Sequence, residues 1–95
     1  MDIASFEAEI KREGYAEIQT KTLAAGTAVG DHDHPFDVRA LVLEGEIELT
    51  VAGARHRYTA GDVFTMAAGC THAERIGATG VSYIVGRRST RTQAD

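Results

Sequence analysis

Between Gly45 and Gly53 the chain alternates without a break, with Ile47, Leu49 and Val51 on one parity and Glu46, Glu48 and Thr50 on the other. Successive side chains of a strand point to opposite faces, so this stretch reads as an antiparallel strand with one face buried and one solvated. Similar short segments, each closed by a glycine-containing turn, fill most of the chain. Tyr15 to Leu23 is rich in Thr, Ile and Tyr and is followed by Ala25-Gly26. Thr27 to His34, Val38 to Leu43, Arg55 to Thr59, Val63 to Met66, Ala73 to Ile76 and Val81 to Gly86 complete the set, with turns expected at Glu44-Gly45, Ala52 to Ala54, Ala60 to Asp62 and Ala67 to Gly69. Val38 to Leu43 is apolar at both parities, so both of its faces are expected to be covered.

Only the N-terminal segment departs from this pattern. Ser5 to Glu13 reads as a short helix capped by Ser5 and stopped by Gly14, with Phe6 and Ile10 sharing the face that packs on the core. Seven or eight short strands and one helix make an all-β chain, an antiparallel barrel or sandwich. At 95 residues this is one domain: a helical segment over 1–14, a β region over 15–86 and a polar tail over 87–95. A core of this size is modest, and a metal or a second copy of the chain would help to stabilise it.

The composition narrows the function. A net charge of −4 argues against non-specific nucleic-acid binding. One cysteine, Cys70, excludes an intramolecular disulfide framework. The opening Met1 to Glu7 lacks the basic and apolar stretches of a signal peptide, and no apolar run reaches membrane-spanning length. A cytoplasmic protein is therefore expected.

Chemistry concentrates in three histidines. His32 and His34 are two apart, which on an extended strand puts both imidazoles on one face; Pro35 then marks a strand end or bend. His72 follows the Gly69 turn. Neutral imidazoles are good ligands for Fe, Zn, Ni, Mn or Cu, and three of them leave coordination positions open. Such a ligand set is uncharged, so a divalent ion among them favours an anionic substrate or an acidic neighbour. Glu74, two residues after His72, shares its strand face and is a candidate ligand or proton carrier. Asp37 is a candidate further ligand if the strand bulges after Pro35. Phe64 and Met66 share one strand face and, with Phe36 and Val38 near the histidines, are expected to line the cavity. Arg39 and Arg75 are expected to face solvent or a partner, and His56 to be a surface or structural residue.

In these motifs the chain resembles a small single-domain cupin. Gly26, His32, His34 and Gly45 stand at the spacing of the family's first motif, and Gly61, Gly69 and His72 at that of the second. The family's carboxylate ligand position is occupied here by Val38, the second-motif proline by Ala67 and its closing asparagine by Ile76. The resemblance implies a cupin-type, jelly-roll-like antiparallel β-barrel, a divalent transition metal between the motifs, and a homodimer. The functions it implies are metal-dependent dioxygenase, isomerase or lyase chemistry on a small molecule. The alternative is a non-catalytic module that binds or senses one.

Overall fold

The computed structural model describes residues 2–89. Helix α1 (Ile3–Arg12) is followed by β1 (Ala16–Leu23), β2 (Ala28–His32), β3 (Phe36–Val51), β4 (Ala54–Thr59), β5 (Val63–Met66) and β6 (His72–Ser89). The strands form one antiparallel sheet in the order β1-β6-β3-β4, with β2 added to β6 and β5 to β3.

Six strands replace the expected seven or eight because two of the expected breaks are bends within a strand. β3 joins Val38 to Leu43 with Glu46 to Val51 through Gly45, and β6 joins Ala73 to Ile76 with Val81 to Gly86 through Gly77 and Gly80. Register shifts on β3 between Val42 and Glu44, and between Gly45 and Ile47, are bulges that turn both strands together. On one side of the bend, the front half of β3 carries β5 while the rear half of β6 carries β1. On the other, the rear half of β3 carries β4 while the front half of β6 carries β2. Two layers thus face each other around an interior, connected by two bent strands.

The helix starts at Asp2, not Ser5. The Asp2 carboxylate accepts from the Ser5 N–H at 2.7 Å, so the aspartate three residues upstream satisfies the donor that opens the helix. Phe6 and Ile10 are fully buried against Tyr15, Leu41 and Ile84 on the outer face of the sheet. Arg39 Nη1 donates to Glu13 at 3.0 Å and its Nη2 forms a second ion pair with Glu9, holding the helix to β3. This Arg39 faces the chain's own helix rather than solvent or a partner. The inner face is a second cluster that includes Ala40, Val42, Ile47, Leu49, Phe64 and Tyr83. Leu41 turned to the helix and Ala40 and Val42 turned inward are the two covered faces expected of that run.

β6 also continues through Arg87 and Arg88 to Ser89, into the stretch read as a polar tail. Both arginines have partners that the sequence pattern did not show: Arg88 bonds Asp37, and Arg87 lies over Phe36. Residues 90–95 of that stretch lie outside the described residues. Among the described residues no helix is long and apolar enough to cross a membrane.

Candidate metal centre

The three histidines arrive from two neighbouring strands and the segment between β2 and β3. His32 ends β2, His72 begins β6, and the two are directly paired across the ladder, with ring centroids 4.2 Å apart. Directly opposed strand residues are the closest side-chain neighbours in a sheet. His34 follows two residues after His32, and its ring lies 5.0 Å from His32 and 5.2 Å from His72. One ligand atom from each of the three lies within 4.8 Å of the others.

The hydrogen bonds fix which nitrogen faces the centre. His32 Nδ1 lies 2.8 Å from the Gly30 carbonyl, and His72 Nδ1 lies 2.9 Å from the Cys70 carbonyl. A carbonyl only accepts, so each Nδ1 must carry the hydrogen, and each neutral ring presents a lone pair at Nε2. His72 is 1% exposed, and its Nε2 is buried without a hydrogen-bond partner among the described residues. Glu74 Oε2 lies 3.3 Å from His32 Nε2 and 3.4 Å from His72 Nε2. With both Nδ1 atoms protonated these contacts oppose acceptor to acceptor. While the rings are neutral, lone pairs and a carboxylate around one point call for a cation, a proton or a metal ion, and the burial of His72 keeps water from supplying the compensation there. The His34 imidazole is held toward its neutral form, first by burial and then by the neighbouring His32 and His72. The donor set therefore fits a divalent transition metal: neutral imidazoles, an orphaned buried nitrogen, and Nδ1–H groups anchored to carbonyls.

Asp37 is not among these donors. Its Oδ1 accepts from the Ala68 N–H at 2.9 Å, and its Oδ2 accepts from Arg88 Nε and Nη2 at 3.1 and 2.9 Å. No bulge re-aims it, so it keeps the parity opposite to Phe36 and Val38. What it does is hold the loop before His72. That loop is also tied by the Gly69 N–H to the His34 carbonyl at 2.8 Å, which fastens two of the three histidine-bearing segments together. Arg88 Nη1 extends the network to the Glu13 carbonyl at 2.8 Å.

The Ala68 N–H, and after it Arg88, hold the Asp37 carboxyl below its ordinary value. A lowered folded-state value contributes stability that is present above about pH 4 and is lost as the pH falls through the folded value. We expect Asp37→Ala to lower stability at pH 7 by about 2 kcal/mol, the scale of a hydrogen bond to a charged group. Denaturant melts of both proteins at pH 7 and pH 3 check this: the gap should narrow at the lower pH, and a constant gap would assign the loss to packing instead.

The histidines line a cavity of about 260 Å³. Phe36, Val38, Phe64 and Met66 line it, together with Tyr83 and Glu74. Burial pushes the Tyr83 phenol up to about 12, so it stays protonated and can donate a hydrogen bond. Glu17, Gln19, Lys21 and Arg87 add charged and polar groups to the same cavity. Sequence reasoning missed Tyr83, Glu17 and Arg87. The parity of Tyr83, two before Val85 on an apolar strand, was the one available signal for it. His56 is exposed and Cys70 half-buried, both away from the cavity-lining set.

The sequence profile of the cupin domain matches residues 19–84. Among curated proteins, none matches this sequence. Among solved structures, a protein of unknown function from Rhizobium leguminosarum bv. viciae is 21% identical, with a TM-score of 0.71 over 76% of this chain and 68% of its own. A cupin superfamily protein from Desulfitobacterium hafniense is 22% identical, with a TM-score of 0.67 over 76% of this chain and 65% of its own. These two likenesses show the fold. The DMSP lyase DddQ from Ruegeria pomeroyi is 26% identical, with a TM-score of 0.69 over 81% of this chain. This chain covers only 40% of that lyase.

Proposed function

The chain belongs to the cupin family, and within it we propose a metal-dependent enzyme that moves a proton on a small molecule bound in the cavity. One observation carries this reading: the Nε2 atoms freed by the Nδ1–H bonds of His32 and His72 converge with the Glu74 carboxylate on one point. His32, His34 and His72 would hold the metal. The bound ion would supply Lewis-acid polarisation of a substrate oxygen.

The remaining roles fall to the chain's own residues. Glu74 stands within reach of any group held beside the histidines and accepts or returns a proton. Tyr83, protonated at neutral pH, donates a hydrogen bond to an oxygen inside the cavity. Phe36, Phe64 and Met66 exclude water, which strengthens each of these interactions. Of the reaction types open to the family, an acid–base group at this position favours isomerase or lyase chemistry over oxygen activation. The likeness to a lyase of known substrate supports the same side of that choice. A small molecule and a second copy of the chain are the partners in this reading.

The test pairs metal analysis with a proton-exchange assay. Small keto acids and diols are incubated with zinc-, nickel- or iron-loaded protein in deuterated water and followed by mass spectrometry, with oxygen uptake monitored in parallel. We expect deuterium incorporation or elimination without oxygen consumption. Glu74→Gln should keep its metal and lose activity by about a hundredfold, the lower range for a positioned general base. Oxygen consumption would overturn the proton-transfer reading. A metal-loaded protein that binds panel members tightly and turns none of them over would make it a binding module.

A further inference from the structure

The cavity wall opposite in chemistry to its apolar lining is formed by β1 and the end of β6. Arg87 is the charged residue there with the closest connection to the metal centre. Its guanidinium lies 4.4 Å over the Phe36 ring, and the Phe36 ring stacks on His34 with centroids 5.0 Å apart. A guanidinium over an aromatic face is attracted by the ring's quadrupole, which holds the charge beside the ring while its N–H groups remain available to a further partner. Among the described residues its one ion-pair partner is Glu17, at 3.7 Å, too long for a hydrogen bond. Glu17 is 71% exposed in its side chain and Arg87 40%. An exposed pair of this length is weakly held.

Glu17 itself sits at an unusual place in the backbone. Its φ is +52°, in the left-handed region that a glutamate rarely adopts, and β1 shifts register between Ala16 and Gln19. The bulge shifts the pairing of β1 with β6 at Glu17, while Glu17, Gln19, Lys21 and Leu23 line the cavity in regular alternation. A strained residue that carries a carboxylate to a loosely held guanidinium beside a candidate metal centre looks like a placeholder for a carboxylate from outside.

We propose that Arg87 is the anion-recognition residue of this cavity, and that its ligand is a small carboxylate that takes the place of the Glu17 side chain. The planar two-oxygen group matches the guanidinium fork bidentately, which a water or a neutral amide does not. The site's charge agrees. Three neutral imidazoles leave a divalent ion's charge to Glu74 alone, while two cations, Arg87 and Lys21, line the cavity with Glu17 as the other carboxylate. The substrate class that follows is a small organic acid with one oxygen-bearing group toward the histidines and a carboxylate at Arg87. The first half of that description rests on the metal-centre reading, and the second stands on Arg87 and Glu17.

Succinate is the probe and succinamide its uncharged control, titrated into wild type, Arg87→Gln and Glu17→Gln and followed by NMR. Zinc uptake is measured on all three beforehand, and the titration is run with and without zinc. We expect succinate to bind wild type, about tenfold more weakly to Arg87→Gln, and severalfold more tightly to Glu17→Gln, where the internal competitor is gone. Succinamide should not distinguish the three. Glu17→Gln leaves the Arg87 stack on Phe36 in place, so it carries the test even if Arg87→Gln folds poorly. Absence of zinc in every variant is failure of the metal reading alone, and the zinc-free titration then decides on Arg87. No succinate binding to wild type, or equal succinate affinity in all three proteins, overturns the proposal.

Discussion

Tag-free protein is expected to take up one divalent transition metal, and His72→Ala to lose it. Changes to the partners of ligating histidines commonly cost about 10–100-fold in metal affinity, and removal of a ligand should cost more. His72 is the strongest choice among the three. It is 1% exposed, its Nε2 has no hydrogen-bond partner among the described residues, and its orientation is fixed at Nδ1 by the Cys70 carbonyl. Elemental mass spectrometry reads occupancy directly.

Thermal melts give a second readout that separates lost binding from lost folding. Zinc at a hundred times its Kd stabilises the folded state by about 2.7 kcal/mol. For a chain of this size that raises Tm on the order of 10 °C. The His72→Ala protein will melt lower at the outset, because a buried side chain has been removed. What matters is that its Tm should not move with zinc. A full zinc-induced rise in the variant would show that the ion is held elsewhere. No uptake by wild type would remove the metal from the site and leave the Arg87 cavity as the functional feature.

The parts of this centre that were legible in the sequence are those that follow from period and spacing. His32 on a strand, His72 behind a glycine turn and Glu74 two residues further on are statements about which face of a strand a side chain takes, whereas His34, expected on the same strand as His32, lies in the segment after β2 ends. Pairing of β2 with β6 then brings the faces together. Spacing also argues that Asp37 should point away from the cavity, and only an added bulge would have reversed it. The bulges fall instead at Gly45 on β3, at Glu17 on β1 and between Val29 and His32 on β2, and a register shift leaves no composition signal of its own.

Arg87 was unreadable for a related reason. Polar residues at the end of a chain look alike whether they fray or pair, and only the continuation of β6 against Phe36, Asp37 and Val38 decides between them. The helix cap shows the same limit on a smaller scale. Asp2 and Ser5 are both good capping residues, and the structure takes Asp2, whose carboxylate accepts from the Ser5 N–H.

Gly45→Ala should be the most damaging substitution outside the metal centre, and Gly53 provides the control that shows why. Both glycines have nearly the same backbone, with φ of +80° and +81°. A side chain in that region costs about 1–2 kcal/mol whatever its surroundings. Their surroundings differ completely. A Cβ at Gly53, in the β3–β4 turn, would meet nothing within 4 Å. A Cβ at Gly45 would stand 2.0 Å from the Gly80 carbonyl oxygen and 2.8 Å from the Val81 Cα. Those are backbone atoms of β6, which cannot rotate away as a side-chain end can. Gly80 has a φ of +80° itself, and a Cβ there would lie 2.9 Å from the Leu23 carbonyl. The two bent strands therefore cross with glycine against glycine, and the crossing turns both of them from one layer into the other.

Forcing them apart disturbs the pairing on both sides of the bend, including the register that sets His72 opposite His32. We expect Gly53→Ala to lower stability by about 1 kcal/mol and Gly45→Ala by at least 3 kcal/mol, the range in which named backbone and packing defects lie. Urea melts of the two variants beside wild type measure the difference. Equal losses would mean that the Gly45–Gly80 crossing contributes nothing beyond its backbone angle, and that the bend is held by the core on either side of it.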